Sequence, residues 1–190
     1  SNVILLDVET AVKIGNLFAQ NEQAFLTKEV STNVYAVTGD CSKPGIYEMP
    51  VDATYNDLLI ASGGTGAAAI QVGGILGKFI PSSGFDSPLP DEGAVLNTNI
   101  LVYGSERDFY DIAVKLLLYS SQESCGRCTP CREGSLKLLD SLQKAKKGKR
   151  YSLLEINSLA ECMQRTSKCE FGQNASVGFQ TLIQCFPELL

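Results

Sequence analysis

Cys125-Gly126-Arg127-Cys128-Thr129-Pro130-Cys131 sets three thiols two residues apart, and Cys169 stands alone far downstream. A loop that tight can serve three neighbouring corners of an iron–sulfur cube, and a remote segment must close the fourth. The chain has no histidine, so a transition-metal site in it is dominated by thiolate. Cys162 and Cys169 both qualify as the fourth ligand by position. Cys162 falls inside a helical pattern, where a free cysteine acts as a small buried hydrophobe. Cys169 follows that helix in a loop that can aim its sulfur, which makes it the better candidate. Cys41, in a turn, and Cys185, on a helix face, read as unligated. Structural zinc pairs one Cys-x-x-Cys with another, so three in a run with a lone fourth suits zinc poorly. Seven clustered cysteines fit a reducing compartment and metal ligation better than a disulfide framework.

Pro130 suits the first turn of a helix, where its missing N–H costs nothing. Sulfurs at that turn face free backbone N–H groups and the positive end of the helix dipole. That arrangement favours a cube with four thiolates, which is anionic. Arg127 and Arg132 add positive charge, and Gly126 removes a side chain where the backbone must wrap closely.

Around this motif the period of the apolar residues changes along the chain. Residues 1–29 read as a lead-in with one helix, carrying a loose stripe of Val8, Val12, Leu17 and Phe18. Residues 30–104 read as a small α+β unit. Val34, Ala36 and Thr38 alternate with Tyr35 and Val37 in a strand apolar on both faces, and Ile46 to Met49 returns beside it. A short helix from Asp52 to Ala61 takes Asp52 or Thr54 as cap and stops at Gly63-Gly64. Residues 77–81 and 100–103 supply further strands, giving a β-grasp order. The glycines at 63–66 and 73–74 lack dinucleotide-fingerprint spacing and read as turns. Residues 105–190 switch to helical spacing in four helices: Phe109 to Ser120, Leu136-Leu139-Leu142, Ile156 to Met163, and Phe179 to Phe186. Four amphipathic helices with short connections predict a bundle. The run Lys144 to Arg150 reads as a solvated helix end.

No apolar run reaches the ~18–20 residues that span a bilayer, and no basic-then-apolar leader is present. A net charge of −5 argues against a nucleic-acid footprint. Cytoplasmic placement is expected, peripheral to a membrane complex if the chain joins one. Ser1-Asn2 without methionine is expected to be a vector scar or a cut inside a longer protein.

The string Glu123 to Gly134, with Thr166 to Ala175, closely resembles one family: the NADH-binding, flavin-bearing subunit of respiratory complex I and its relatives. Those relatives include the diaphorase subunits of NAD(P)-linked hydrogenases and formate dehydrogenases. Val37-Thr38-Gly39-Asp40 and Lys43 to Glu48 resemble that family's soluble-ligand-binding β-grasp (SLBB) domain. Asp7-Val8-Glu9-Thr10 resembles the Asn-Val-Glu-Thr near the end of its flavin domain. Gly172-Gln173 is closer to the hydrogenase-type members, and Val95 to Asn99 departs from the family's Gly-Ser-Gly-like segment. The resemblance implies an SLBB β-grasp domain followed by a helical bundle holding one [4Fe–4S] cluster on Cys125, Cys128, Cys131 and Cys169. It implies electron relay from reduced flavin to other iron–sulfur centres, as part of an oxidoreductase. FMN and NAD(H) belong to a domain or partner outside this chain, whose sequence lacks the family's Gly-Arg-Gly-Gly-type loop. The chain alone is therefore not expected to oxidise NADH. Implied partners are the flavin domain, a thioredoxin-like [2Fe–2S] subunit and other iron–sulfur subunits. A non-redox interaction module, with a structural cluster or zinc, is the alternative reading of the same residues.

Overall fold

The computed structural model describes residues 3–6, 8–19, 32–90, 98–148 and 152–190. Five strands form one mixed sheet in the order β2-β1-β5-β3-β4. They are β1 (Thr32–Gly39), β2 (Gly45–Pro50), β3 (Ala67–Val72), β4 (Lys78–Pro81) and β5 (Asn99–Gly104). β1 and β5 run parallel at the centre, and the other pairs are antiparallel. The sequence predicts four of these strands and misses β3. Among the described residues the helices are α1 (Val8–Ala19), α2 (Tyr55–Ser62), α3 (Phe109–Gln122), α4 (Thr129–Lys146), α5 (Leu153–Thr166), α6 (Glu170–Asn174) and α7 (Val177–Cys185).

The β-grasp part forms for local reasons. Thr54 caps α2 in a full capping box with Asp57, and Gly63 ends the helix in the left-handed conformation. Leu58 and Leu59 then point into a core with Tyr35, Val37, Ile70, Ile100 and Val102. Each such side chain contributes about 1.5–3 kcal/mol by leaving water. β1 was expected to be apolar on both faces. Tyr35 and Val37 are fully buried, whereas Val34 is exposed and Ala36 half-buried, because only one face meets α2.

The helical part has a second core of Leu117, Leu138, Leu142, Met163, Phe179 and Leu182, and Ala69 and Phe79 of the sheet join it. β4 is an edge strand, and α7 covers it. The Phe79 N–H donates to Thr181 Oγ1 at 2.8 Å, satisfying a backbone donor that an open edge would leave free. Three expectations for the helices need correction. Leu136 is half exposed rather than inward, since the buried row of α4 runs Cys131, Ser135, Leu138, Leu142. The predicted fourth helix is preceded by α6, a five-residue helix starting directly after Cys169. In α1 the predicted stripe is open, with Val8 81% and Phe18 84% exposed; the Leu17 side chain lies outside the described residues. Among the described residues no helix is long and apolar enough to cross a membrane. In the basic run, Lys144 pairs with Asp140 and Lys146 lies 4.1 Å over the Tyr110 ring. Residues 149 and 150 lie outside the described ones.

A latch joins the sheet to α3. Asp40 Oδ2 accepts the Gly104 N–H at 2.9 Å and Arg107 Nε at 2.7 Å, while Oδ1 accepts Arg107 Nη2. The Arg107 guanidinium first, then the Gly104 N–H, holds the Asp40 carboxyl at about 2, below its ordinary 3.8 and against a small opposing effect of burial. A lowered carboxyl stabilises the fold above the ordinary carboxylate range, and that stability is lost as pH falls through the folded value. Between about pH 4 and pH 2, the urea midpoint of the wild-type chain should therefore fall more steeply than that of Asp40→Asn. Parallel profiles would show that the latch does not contribute.

Candidate metal centre

α3 ends at Gln122, and the chain then turns through Cys125 and Gly126 into α4. Gly126 is at φ +72°, in the left-handed region that glycine reaches without a Cβ penalty. Arg132 Nη1 donates to the Gly126 carbonyl at 2.7 Å, and Arg132 Nε pairs with Glu133. Arg132 thus clips the loop to the first turn of α4, a structural task beyond the charge compensation expected of it. Cys128 stands at the N-cap of α4, with Pro130 in the first turn and Cys131 one residue later. Cys128 and Cys131 are buried, and Cys125 is exposed.

The second wall is the segment from Ser167 to Asn174. Cys169 is the N-cap of α6, and its carbonyl accepts the Gln173 N–H at 3.1 Å. Gln173 Nε2 donates to the Ser167 carbonyl at 3.1 Å. Beyond α6, Ser120 Oγ of α3 donates to the Ala175 carbonyl at 2.8 Å. The segment lies against the first turn of α4. The Lys168 N–H leans toward the Cys128 sulfur, and the Cys131 N–H and Ser167 hydroxyl face it too. The Cys128 side chain makes no capping hydrogen bond within α4 itself. Together, with the Lys168 N–H foremost and burial opposing, they hold the Cys128 thiol below its ordinary value. Gly172 makes the approach possible. A Cβ there would stand 2.7 Å from the Ser167 Cβ and 3.2 Å from that of Cys131.

The structure therefore brings the Cys169 segment onto Cys128 and Cys131, with Cys125 and Cys169 on the open side. Among the described residues no three cysteine or acidic side chains are gathered as around one metal ion. Thiolates on one zinc stand within about 4 Å of each other, whereas a cube gives each thiolate its own iron and spreads them further. Four thiols, from the loop and the Cys169 segment, are the donor set that a cube takes. N–H groups face Cys128, Gly172 lets the Ser167 segment come close to Cys131, and the buried Ser167 hydroxyl has no partner.

Cys162 is exposed, not the buried hydrophobe its helical position suggested, because it lies on the face of α5 opposite Ala160 and Met163. Cys185 is half-buried, and desolvation pushes its thiol up. Cys41 lies half-buried in the β1–β2 turn. Three neighbours escaped the sequence reading. Ser124 Oγ lies 3.4 Å from the Cys131 sulfur and accepts the Gly126 N–H at 3.3 Å; Ser167 and Gly172 are the others. A hollow of about 440 Å³ opens on the sheet face beside α3. Its buried Gln71 is engaged with the Ile75 and Gly77 carbonyls and with the Tyr103 hydroxyl, and its Arg107 with Asp40.

Known proteins share this sequence pattern and fold. Residues 111–190 match the family described as the NADH-ubiquinone oxidoreductase-F iron-sulfur binding region. The alpha subunit of the NAD-reducing hydrogenase HoxS of Cupriavidus necator is 28% identical over 96% of this chain and 32% of its own length. The HndC subunit of the NADP-reducing hydrogenase of Solidesulfovibrio fructosivorans is 30% identical over 75% of this chain and 32% of its own. A subunit of the NADH-quinone oxidoreductase of Rhizobium meliloti is 25% identical over 98% of this chain and 48% of its own. The crystal structure of an NAD+-reducing [NiFe]-hydrogenase in the H2-reduced state superposes with a TM-score of 0.73 at 30% identity. That match covers 84% of this chain and 29% of the hydrogenase chain. The chain spans about a third to a half of the length of the curated relatives it matches.

Proposed function

Because residues 111–190 belong to the NADH-ubiquinone oxidoreductase-F iron–sulfur binding regions, we propose that this chain relays single electrons through a [4Fe–4S] cluster held by Cys125, Cys128, Cys131 and Cys169. A cluster bound there supplies reversible one-electron storage. The chain's own residues do the rest. Cys128 and Cys131, both buried, hold the inner side and keep water from it. Cys125 and Cys169, both exposed, mark the side through which electrons exchange with a partner. The N–H groups around Cys128 stabilise negative charge on sulfur. Residues 30–104 serve as the β-grasp platform and 105–190 as the cluster-bearing part.

The parent assembly is an NAD(P)-linked hydrogenase or an NADH-quinone oxidoreductase. In it, a flavin-bearing domain delivers electrons, and a thioredoxin-like [2Fe–2S] subunit or another iron–sulfur subunit receives them. What supports this reading is the meeting of the first turn of α4 with the Cys169 segment at the Cys128 sulfur. The test is iron and acid-labile sulfide per chain after anaerobic reconstitution, with EPR after dithionite. About four of each, with a signal that appears on reduction, is the expected result. Zinc without sulfide would sink the cluster, and a cluster that never reduces would sink electron relay.

A further inference from the structure

Ser167 is 5% exposed, and among the described residues its hydroxyl is the one buried side-chain oxygen or nitrogen without a hydrogen-bond partner. The other buried serines all find carbonyls. Ser62 donates to Leu59, Ser120 to Ala175, Ser135 to Cys131 and Ser176 to Ala160. The Ser167 backbone is fully engaged. Its N–H donates to the Met163 carbonyl at 3.1 Å, and its own carbonyl accepts from Gln173. Only the hydroxyl is left over, beside the Cys128 sulfur. Gly172 leaves it room, since a Cβ there would stand 3.0 Å from Ser167 Oγ. A donor buried and left unpaired is costly and calls for a reason.

We propose that the Ser167 hydroxyl is a dedicated hydrogen-bond donor to sulfur at the Cys128 corner of the cluster, and that it shifts the cluster toward its reduced state. This inference rests on the cluster reading above. Ser167 is a positioning residue, not a ligand. Reduction adds one electron to an already anionic group and breaks no bond, and the proton stays on Oγ. The added charge strengthens the donated hydrogen bond, so the donor favours reduction; hydrogen bonds to the sulfurs are among the determinants of cluster potential.

The test is a redox titration of the reconstituted full chain, followed by EPR, on wild type, Ser167→Ala and Ser167→Thr. Ser167→Ala should lower the reduced-to-oxidised ratio at fixed ambient potential about tenfold, equivalent to ~59 mV for one electron. Ser167→Thr keeps the hydroxyl and should titrate with wild type. Proton hyperfine spectroscopy of the reduced wild type should show one strongly coupled proton that exchanges in D2O. Wild-type potential in a fully loaded Ser167→Ala chain would overturn the proposal. So would an alanine-like threonine variant. If Ser167→Ala fails to load, the exchangeable proton in wild type decides: its presence upholds the donor and its absence overturns it. A wild-type chain that takes up no sulfide would overturn the cluster reading itself, and this inference with it.

Discussion

Cys131→Ala is expected to strip the chain of iron and labile sulfide, while Cys162→Ala leaves both at the wild-type level. Cys131 is 4% exposed and lies in the first turn of α4, where its sulfur meets Ser124 and its carbonyl receives Ser135. Cys162 is exposed on α5, and Cys185 ends α7, outside the Cys125–Cys131 loop and the Cys169 segment. Losing even an outer-shell partner of a metal costs about 10–100-fold in affinity, so losing a buried ligand should exceed that. Cys169→Ala should produce a comparable loss by opening the corner on α6. Cys41→Ala and Cys185→Ala should match wild type in cluster content. Iron, sulfide and visible absorbance of the six proteins, reconstituted side by side, give the answer. Wild-type content in Cys131→Ala would refute the ligand set, and loss in Cys162→Ala together with retention in Cys169→Ala would exchange the fourth ligand.

The loop of the proposed site was legible in outline because it is specified locally. The spacing of Cys125, Cys128 and Cys131 states the tight loop outright, and Pro130 states the helix that follows. The division into two buried and two exposed cysteines was not legible. It depends on the 167–174 segment folding back over α4. The role of Gly172 was hidden for the same reason, since a glycine close to a cysteine about forty positions earlier carries no mark of that contact. The long helices were legible because each buries one stripe at helical spacing. α6 is too short to show a period. β3 was missed on composition: Ala67 to Val72 holds three alanines and a glutamine, residues with little preference for strands. Its Gln71 is nonetheless 1% exposed, because the Ile75 and Gly77 carbonyls and the Tyr103 hydroxyl satisfy its amide. A polar residue so completely paired is compatible with burial, but the pairing forms only once β3 and β5 are side by side.

Gly39→Ala should destabilise the chain by about 3 kcal/mol or more, while Gly45→Ala at the far side of the same turn changes stability by less than about 0.5 kcal/mol. Gly39 sits at φ +94°, and a Cβ there would stand 2.3 Å from the Val102 carbonyl oxygen and 2.9 Å from its nitrogen. A side chain in left-handed backbone costs about 1–2 kcal/mol, and forced overpacking about 1–3 kcal/mol. The struck atoms are backbone of β5, held between β1 and β3, so they cannot swing aside as a side chain would. A Cβ at Gly45 meets nothing within 4 Å. Stability of a domain is about 5–15 kcal/mol in total, and a loss near 3 kcal/mol lowers the melting temperature of a chain this size by about 6–12 °C. Thermal melts and urea midpoints of both variants measure the difference, and equal midpoints would refute the steric account. The consequence extends to the metal centre. Displacing Gly39 from Val102 also displaces Asp40, whose N–H donates to the Val102 carbonyl and whose carboxylate holds Gly104 and Arg107 at the entrance to α3. α3 leads directly into the Cys125 loop, so the glycine that lets the parallel strands β1 and β5 pair closely also fixes where the cysteine loop begins.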